Sequence, residues 1–159
     1  RLECGGRFVS AMAANVQNIS AGLEVGATPD GRKAFSPLSD AASPYFGRDE
    51  KGPTAFLRSV SRPDYRHVLT GSVINMRFDP DFYQDEEGAR RFLSFTQYFV
   101  AQRIPELQFN FTRSETLLAA RQEPEKYRNL VVRVSGFSAR FVELSPEVQD
   151  DIARRRAHV

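Results

Sequence analysis

Val132-Arg133-Val134-Ser135-Gly136-Phe137-Ser138-Ala139-Arg140-Phe141 places one glycine between two apolar, strand-like runs. A Ser-Gly pair between such runs is turn chemistry, so the stretch reads as strand, sharp turn, strand, with Gly136 at the bend. Glycine there tolerates backbone angles that a Cβ would forbid. On local chemistry alone, most glycines in this setting do no more than make the turn.

Working outward from that turn, strand and helix patterns alternate. Leu130 to Val134 reads as the strand that enters it, and Ser114 to Arg121 as a helix with Ser114 at its N-cap and Glu115 well placed in the first turn. Leu107, Phe109 and Phe111 alternate with Gln108 and Asn110 as a strand. Asp85 to Gln102 carries the strongest helical pattern: Ala89, Phe92, Leu93, Phe95, Thr96, Phe99 and Val100 recur at helical spacing and predict a broad buried stripe. Ile74, Met76 and Phe78 alternate with Val73, Asn75 and Arg77. Strand, helix, strand, helix, strand from Thr70 to Val134 argues for an α/β architecture with parallel pairing.

Further from the turn, Pro53 opens a short predicted helix through Val60, and Arg7 to Ala13 has the make-up of a buried strand. Between them, Val25 to Asp49 is dominated by Gly, Pro, Ser and Asp and reads as a long ordered loop. After the turn, Ser145, Pro146 and Glu147 predict a helix start, followed by Asp150-Arg154 and Asp151-Arg155 pairs at i,i+4 spacing.

The 159 residues, 41% hydrophobic and 26% charged, match one ordinary globular domain. The chain begins at Arg1 and shows neither a secretory leader nor a long apolar span, so it is expected to be part of a cytoplasmic protein. Its net charge is +2, and Arg154-Arg155-Arg156 is its only dense basic cluster, without the interleaved aromatics of a nucleic-acid site. Neither nucleic acid nor membrane is an expected partner.

Longer motifs surround the turn. Pro124-Glu125-Lys126-Tyr127 precedes it and Leu144-Ser145-Pro146-Glu147-Val148-Gln149 follows it; upstream lie Gly26-Ala27-Thr28-Pro29-Asp30-Gly31-Arg32-Lys33-Ala34, Pro37-Leu38-Ser39-Asp40, Ser43-Pro44 and Gly52-Pro53-Thr54-Ala55. In this order, from about Gly5 to Arg156, they resemble the C-terminal portion of the glycyl radical enzymes, the superfamily of pyruvate formate-lyase and the diol dehydratases. The resemblance implies part of a ten-stranded α/β barrel, its second half-barrel over residues 1–100, and a glycine radical domain over residues 101–159.

It also implies a site. Gly136 would store an unpaired electron on its Cα, with Arg133, Val134, Ser135, Phe137, Ser138 and Ala139 supporting the loop. Glycine suits this because a Cα radical flattens to share spin with the flanking amides, and a Cβ would crowd that plane. Val132, Val134, Phe137, Ala139 and Phe141 are expected to give the loop apolar cover. The glycyl radical would be a post-translational modification with no bound cofactor, made by a partner that uses S-adenosylmethionine and an iron-sulfur cluster. It would generate a thiyl on a cysteine outside this chain, and the thiyl would take hydrogen from a small-molecule substrate. Elimination of the dehydratase or lyase type leads; formate acetyltransferase-type C–C cleavage, arylacetate decarboxylation and a noncatalytic radical carrier remain open. The full-length relatives imply a homodimer, cytoplasmic or inside a bacterial microcompartment.

Arg7 either offers bidentate donors to an anionic substrate group or makes an ordinary rim salt bridge, and Asn75, Gln108 and Asn110 either face substrate or hold backbone carbonyls. Other residues carry less. Cys4 lies too near the turn in sequence to match the family's thiyl loop and reads as a structural thiol. His67 and His158 stand far apart, are expected at the surface, and have no neighbouring ligands of metal-binding spacing, so no metal is expected. Asp79, Asp81, Glu86 and Glu87 read as capping or solvated acids, and Ser135 and Ser138 lack a His-Asp partner for nucleophilic work.

Overall fold

The computed structural model describes residue 12, residues 16–68 and residues 72–158. The expected first strand lies outside the described residues apart from Met12, and Cys4 and Arg7 lie outside them entirely. The described fold is mixed α/β with a parallel sheet at its centre. Strand β1 (Val73–Phe78) pairs in parallel with β2 (Glu106–Phe111), Val73 opposite Glu106 and Phe78 opposite Phe111. Helix α3 (Glu86–Ala101) makes the crossover between them, the long connection that parallel strands require. The domain division expected near residue 100 falls at the end of this helix, and the β1–β2 pairing spans it.

Helix α1 (Gln17–Glu24) and helix α2 (Gly52–Val60) precede the sheet, and the Pro-rich stretch between them forms no regular element. Buried Arg32 organises that stretch by donating to the carbonyls of Val25, Gly26, Lys33 and Ser36. The stretch then lies along β1: Ala42 N–H donates to Val73 O at 3.2 Å, and Asn75 N–H to Ser43 Oγ at 2.9 Å.

Beyond β2 come α4 (Ser114–Gln122), a hairpin of β3 (Val131–Arg133) and β4 (Ser138–Arg140), α5 (Pro146–Arg154) and β5 (Ala157–His158). Val131–Arg133 does not join the parallel sheet, as the alternating pattern led one to expect. The Ser135-Gly136 turn is too short for a crossover, so β3 folds back antiparallel on β4, and β5 takes the place beside β1. This overturns the surface placement of His158, which is 3% exposed with its ring near Phe56 and Phe78. His67 is exposed.

Two apolar clusters hold these layers. Phe56, Leu57 and Val60 of α2, Ile74, Met76 and Phe78 of β1, Phe95 of α3 and Ile104 form one. Leu117 and Ala120 of α4, Val132 and Val134, Phe141, and Ile152 of α5 form the other. The buried stripe of α3 is narrower than its sequence suggests. Gly88 and Phe95 are buried and Phe92, Tyr98 and Phe99 half-buried, but Ala89, Leu93 and Val100 face outward, since they sit a quarter to a third of a turn off the packed face.

The predicted helix starts hold at α2 and α5, and the start of α4 differs. The Asp85 side chain accepts from Gly88 N–H and caps α3, and Ser145 precedes α5 with Pro146 in its first turn. Arg113, not Ser114, is the residue before α4, and its side chain makes no capping bond. In α5, Asp151 pairs with Arg155 at 3.0 Å as expected, whereas Asp150 reaches across to Arg121 of α4 rather than to Arg154.

Candidate functional site

The two faces of the β1–β2 sheet differ in chemistry. Ile74, Met76 and Phe78, with Leu107 and Phe109, meet α2 and α3. The alternate positions Asn75, Arg77, Gln108 and Asn110 are 4–6% exposed and face the hairpin, the 36–49 stretch and α5. Buried polar side chains need partners, and here Gln108 and Asn110 find theirs largely in the backbone around Gly136.

Asn110 completes β3 as a neighbouring strand would: its Oδ1 accepts from Arg133 N–H and its Nδ2 donates to Arg133 O, both at 2.7 Å. Gln108 Oε1 accepts from Gly136 N–H at 3.2 Å, while its Nε2 donates to Glu106 at 2.5 Å. Asn75 Nδ2 donates to Asp40 Oδ2 at 2.6 Å, and Ser135 Oγ donates to Asp40 Oδ1 at 2.7 Å. The three amides expected near substrate thus act, in this chain, as braces around the hairpin.

Arg155 completes the cradle. It donates to Val134 O at 2.9 Å and lies 3.0 Å from Asp151 and 3.5 Å from Asp40. Asp40 is 5% exposed, and burial raises its pKa against the opposing pull of Ser135, Arg155 and Asn75. Burial likewise lowers the pKa of Arg77, whose guanidinium makes one long bond, to Ala153 O at 3.5 Å.

Within this cradle Val134 N–H donates to Phe137 O at 2.8 Å and closes the turn, with Gly136 at φ +86°. That left-handed angle favours glycine, and a Cβ built there would meet no atom within 4 Å. The expected apolar cover divides. Val132, Val134 and Phe141 are sealed in the core below, because strand alternation turns them inward, whereas Phe137 is 47% exposed and Gly136 and Ser138 are open. Ala139 is half-buried, and Arg133 reaches Ser138 Oγ at 3.0 Å on the outer side. On this chain's own surface the turn is therefore an exposed tip with a buried base.

Sequence reasoning did not single out Asp40 or Arg155. Asp40 is a lone acid in a loop, and Arg155 is the middle of three arginines; neither has a local pattern that reveals burial. The usable signal was the i,i+4 spacing of Asp151 and Arg155. Among the described residues no group of three or more His, Cys, Asp or Glu side chains converges as a metal site would, and no helix is long and apolar enough to cross a membrane.

The geometry is a glycine at positive φ on a hairpin tip, gripped from below by polar side chains of a parallel sheet. This chain belongs to the glycine radical family, which it matches over residues 38–142. It is 45% identical over 139 residues to the isethionate sulfite-lyase of Nitratidesulfovibrio vulgaris, covering 86% of this chain and 17% of that protein. It is 38% identical over 156 residues to the probable dehydratase YbiW of Escherichia coli, covering 98% of this chain and 19% of that one. The glycerol-bound B12-independent glycerol dehydratase from Clostridium butyricum superposes with a TM-score of 0.86 at 40% identity, over 90% of this chain and 18% of that structure. The chain thus spans about a fifth of the length of these relatives. The modification proper to the family is a radical on glycine.

Proposed function

We propose that Gly136 is the glycine that stores the radical and that this chain is the radical-storing portion of a glycyl radical lyase of the dehydratase type. The observation that carries the reading is the hairpin tip: positive φ, no neighbour around the Cα on its outer side, and a base held by Gln108, Asn110 and Asp40. The matched family segment contains it. A hydrogen acceptor can approach such a Cα without displacing a side chain.

Activation would proceed when a carbon radical, supplied by an S-adenosylmethionine-dependent partner, takes one hydrogen atom from Gly136 Cα. In turnover Gly136 would regain a hydrogen atom from a cysteine S–H outside this chain, and the thiyl so formed would take one from a substrate C–H. A leaving group on the adjacent carbon would depart with its bonding pair while the substrate hydroxyl loses its proton. The product radical would then recover hydrogen from the thiol. The relatives' names, a sulfite-lyase and two dehydratases, favour this elimination over C–C cleavage or decarboxylation.

Because the tip is open here, the walls that keep it from oxygen and water would come from the remaining four-fifths of such a protein, arranged as the enclosing barrel. The test is electron paramagnetic resonance of the activated full-length protein. A doublet that collapses on α-deuteration of glycine is expected, with no signal and no turnover in Gly136→Ala; turnover by that variant would end the proposal. Exposure to air should cleave the chain at Gly136, and an intact chain would count against it.

A further inference from the structure

We propose that Gln108 is the positioning residue of the radical, its side-chain oxygen holding the Gly136 N–H and thereby setting how much spin the amide nitrogen carries. The inference rests on the reading of Gly136 as the radical store. Among the described residues, Gln108 Oε1 is the side-chain atom that bonds Gly136's own backbone, at 3.2 Å, and Gln108 is 4% exposed.

A glutamine can present either its oxygen or its NH2 group, and only the oxygen can accept from an amide N–H. Glu106 settles the choice. Its side-chain oxygen accepts from the Gln108 NH2 at 2.5 Å, which turns the amide oxygen toward Gly136. The pair lies on one strand two residues apart, as the alternation of β2 dictates.

The electronic consequence follows from the bond's place. A Cα radical is stabilised when the amide nitrogen donates density toward it, and an acceptor on N–H makes that nitrogen a better donor. At φ +86° the preceding amide stands nearly perpendicular to the plane needed for full overlap, so sharing requires rotation about N–Cα. Gln108 holds the N–H and Asp40 holds Ser135, which fixes the preceding peptide. The rotation therefore falls on the following peptide, where the tip is open. Asn110 offers a built-in contrast: it grips Arg133, away from the radical's own amide, and braces the hairpin without touching the spin.

The experiment uses the activated full-length protein with 15N-labelled glycine. Gln108→Leu should give a smaller 15N coupling, a wider α-hydrogen splitting and a radical that decays about fivefold faster under argon, as loss of one ordinary hydrogen bond implies. Asn110→Leu should leave both couplings unchanged. Exchanging the pair, Glu106→Gln with Gln108→Glu, retains an acceptor facing Gly136 and should restore the wild-type 15N coupling. Couplings and lifetime in Gln108→Leu equal to wild type overturn the inference while leaving Gly136 as the radical store. Absence of a deuterium-sensitive doublet in the unsubstituted protein overturns that store and the inference together. If Gln108→Leu does not fold, the exchanged pair decides: a wild-type 15N coupling supports the proposal, and a reduced one overturns it.

Discussion

The two faces of β1 and β2 are about equally hidden from water, yet they do opposite jobs. On one, Phe78 is fully buried among the rings of Phe82, Phe92, Phe95 and Phe109, a non-directional contact that tolerates small shifts. On the other, Gln108 and Asn110 bond the hairpin directly and Asn75 bonds the Asp40 that holds Ser135, through hydrogen bonds that fail outside narrow distances and angles. The apolar face supplies cohesion and the polar face supplies position. A site that must present one Cα in one place gains more from the second kind of contact.

Substitutions on each face should break that contrast in different ways. Phe78→Ala should be the most damaging, costing about 3–5 kcal/mol by lost burial and an unfilled cavity, and chemical denaturation should register it as a large fall in midpoint. Asn110→Leu should cost roughly 2 kcal/mol for two buried hydrogen bonds; its signature would be faster hydrogen exchange at the Arg133 amide, with protection on β1 little changed. Equal loss of protection on both strands would show that the faces are not separable.

Asp40 sharpens the comparison through pH. Burial raises its pKa above 3.8, so folding favours the neutral acid. Its contribution to stability is fully present below 3.8 and is lost as pH rises through the folded-state value. Asp40→Asn should therefore remove a fall in stability as pH rises through the acid range, measured by denaturant titration; an unaltered slope would mean that the hairpin does not depend on this carboxylate's charge. The smallest effect belongs to Leu93→Ser on the outward side of α3, 58% exposed, where a change within about 0.5 kcal/mol is expected in this chain's thermal unfolding.

Legibility in the sequence divides along the same line. Ile74, Met76 and Phe78 announce the apolar face by alternation, the aromatics after Asp85 announce α3, and Ser135-Gly136 announces the turn. Alternation also places Asn75, Arg77, Gln108 and Asn110 together on the other face, but polar residues at period two look the same whether they meet solvent or a buried backbone. Only the third dimension brings Asn110 to Arg133 and Asp40 to Ser135. Strand β5 was illegible for a different reason: two residues carry no periodicity. The outward turn of Leu93 and Val100 depended on where α3 packs, which its own apolar pattern leaves undetermined.

That two-residue strand has a bearing on how the chain assembles. Ala157 and His158 add to β1 opposite Arg77 and Phe78, and His158 O accepts from Asp79 N–H at 2.9 Å. Closing so long a loop is entropically slow, so this stitch should come late in folding. Until it arrives, the far end of β1 offers an unpaired edge to any other chain nearby. A version stopped before Ala157 would therefore fail mainly by sticking to its own kind, well before it failed by melting.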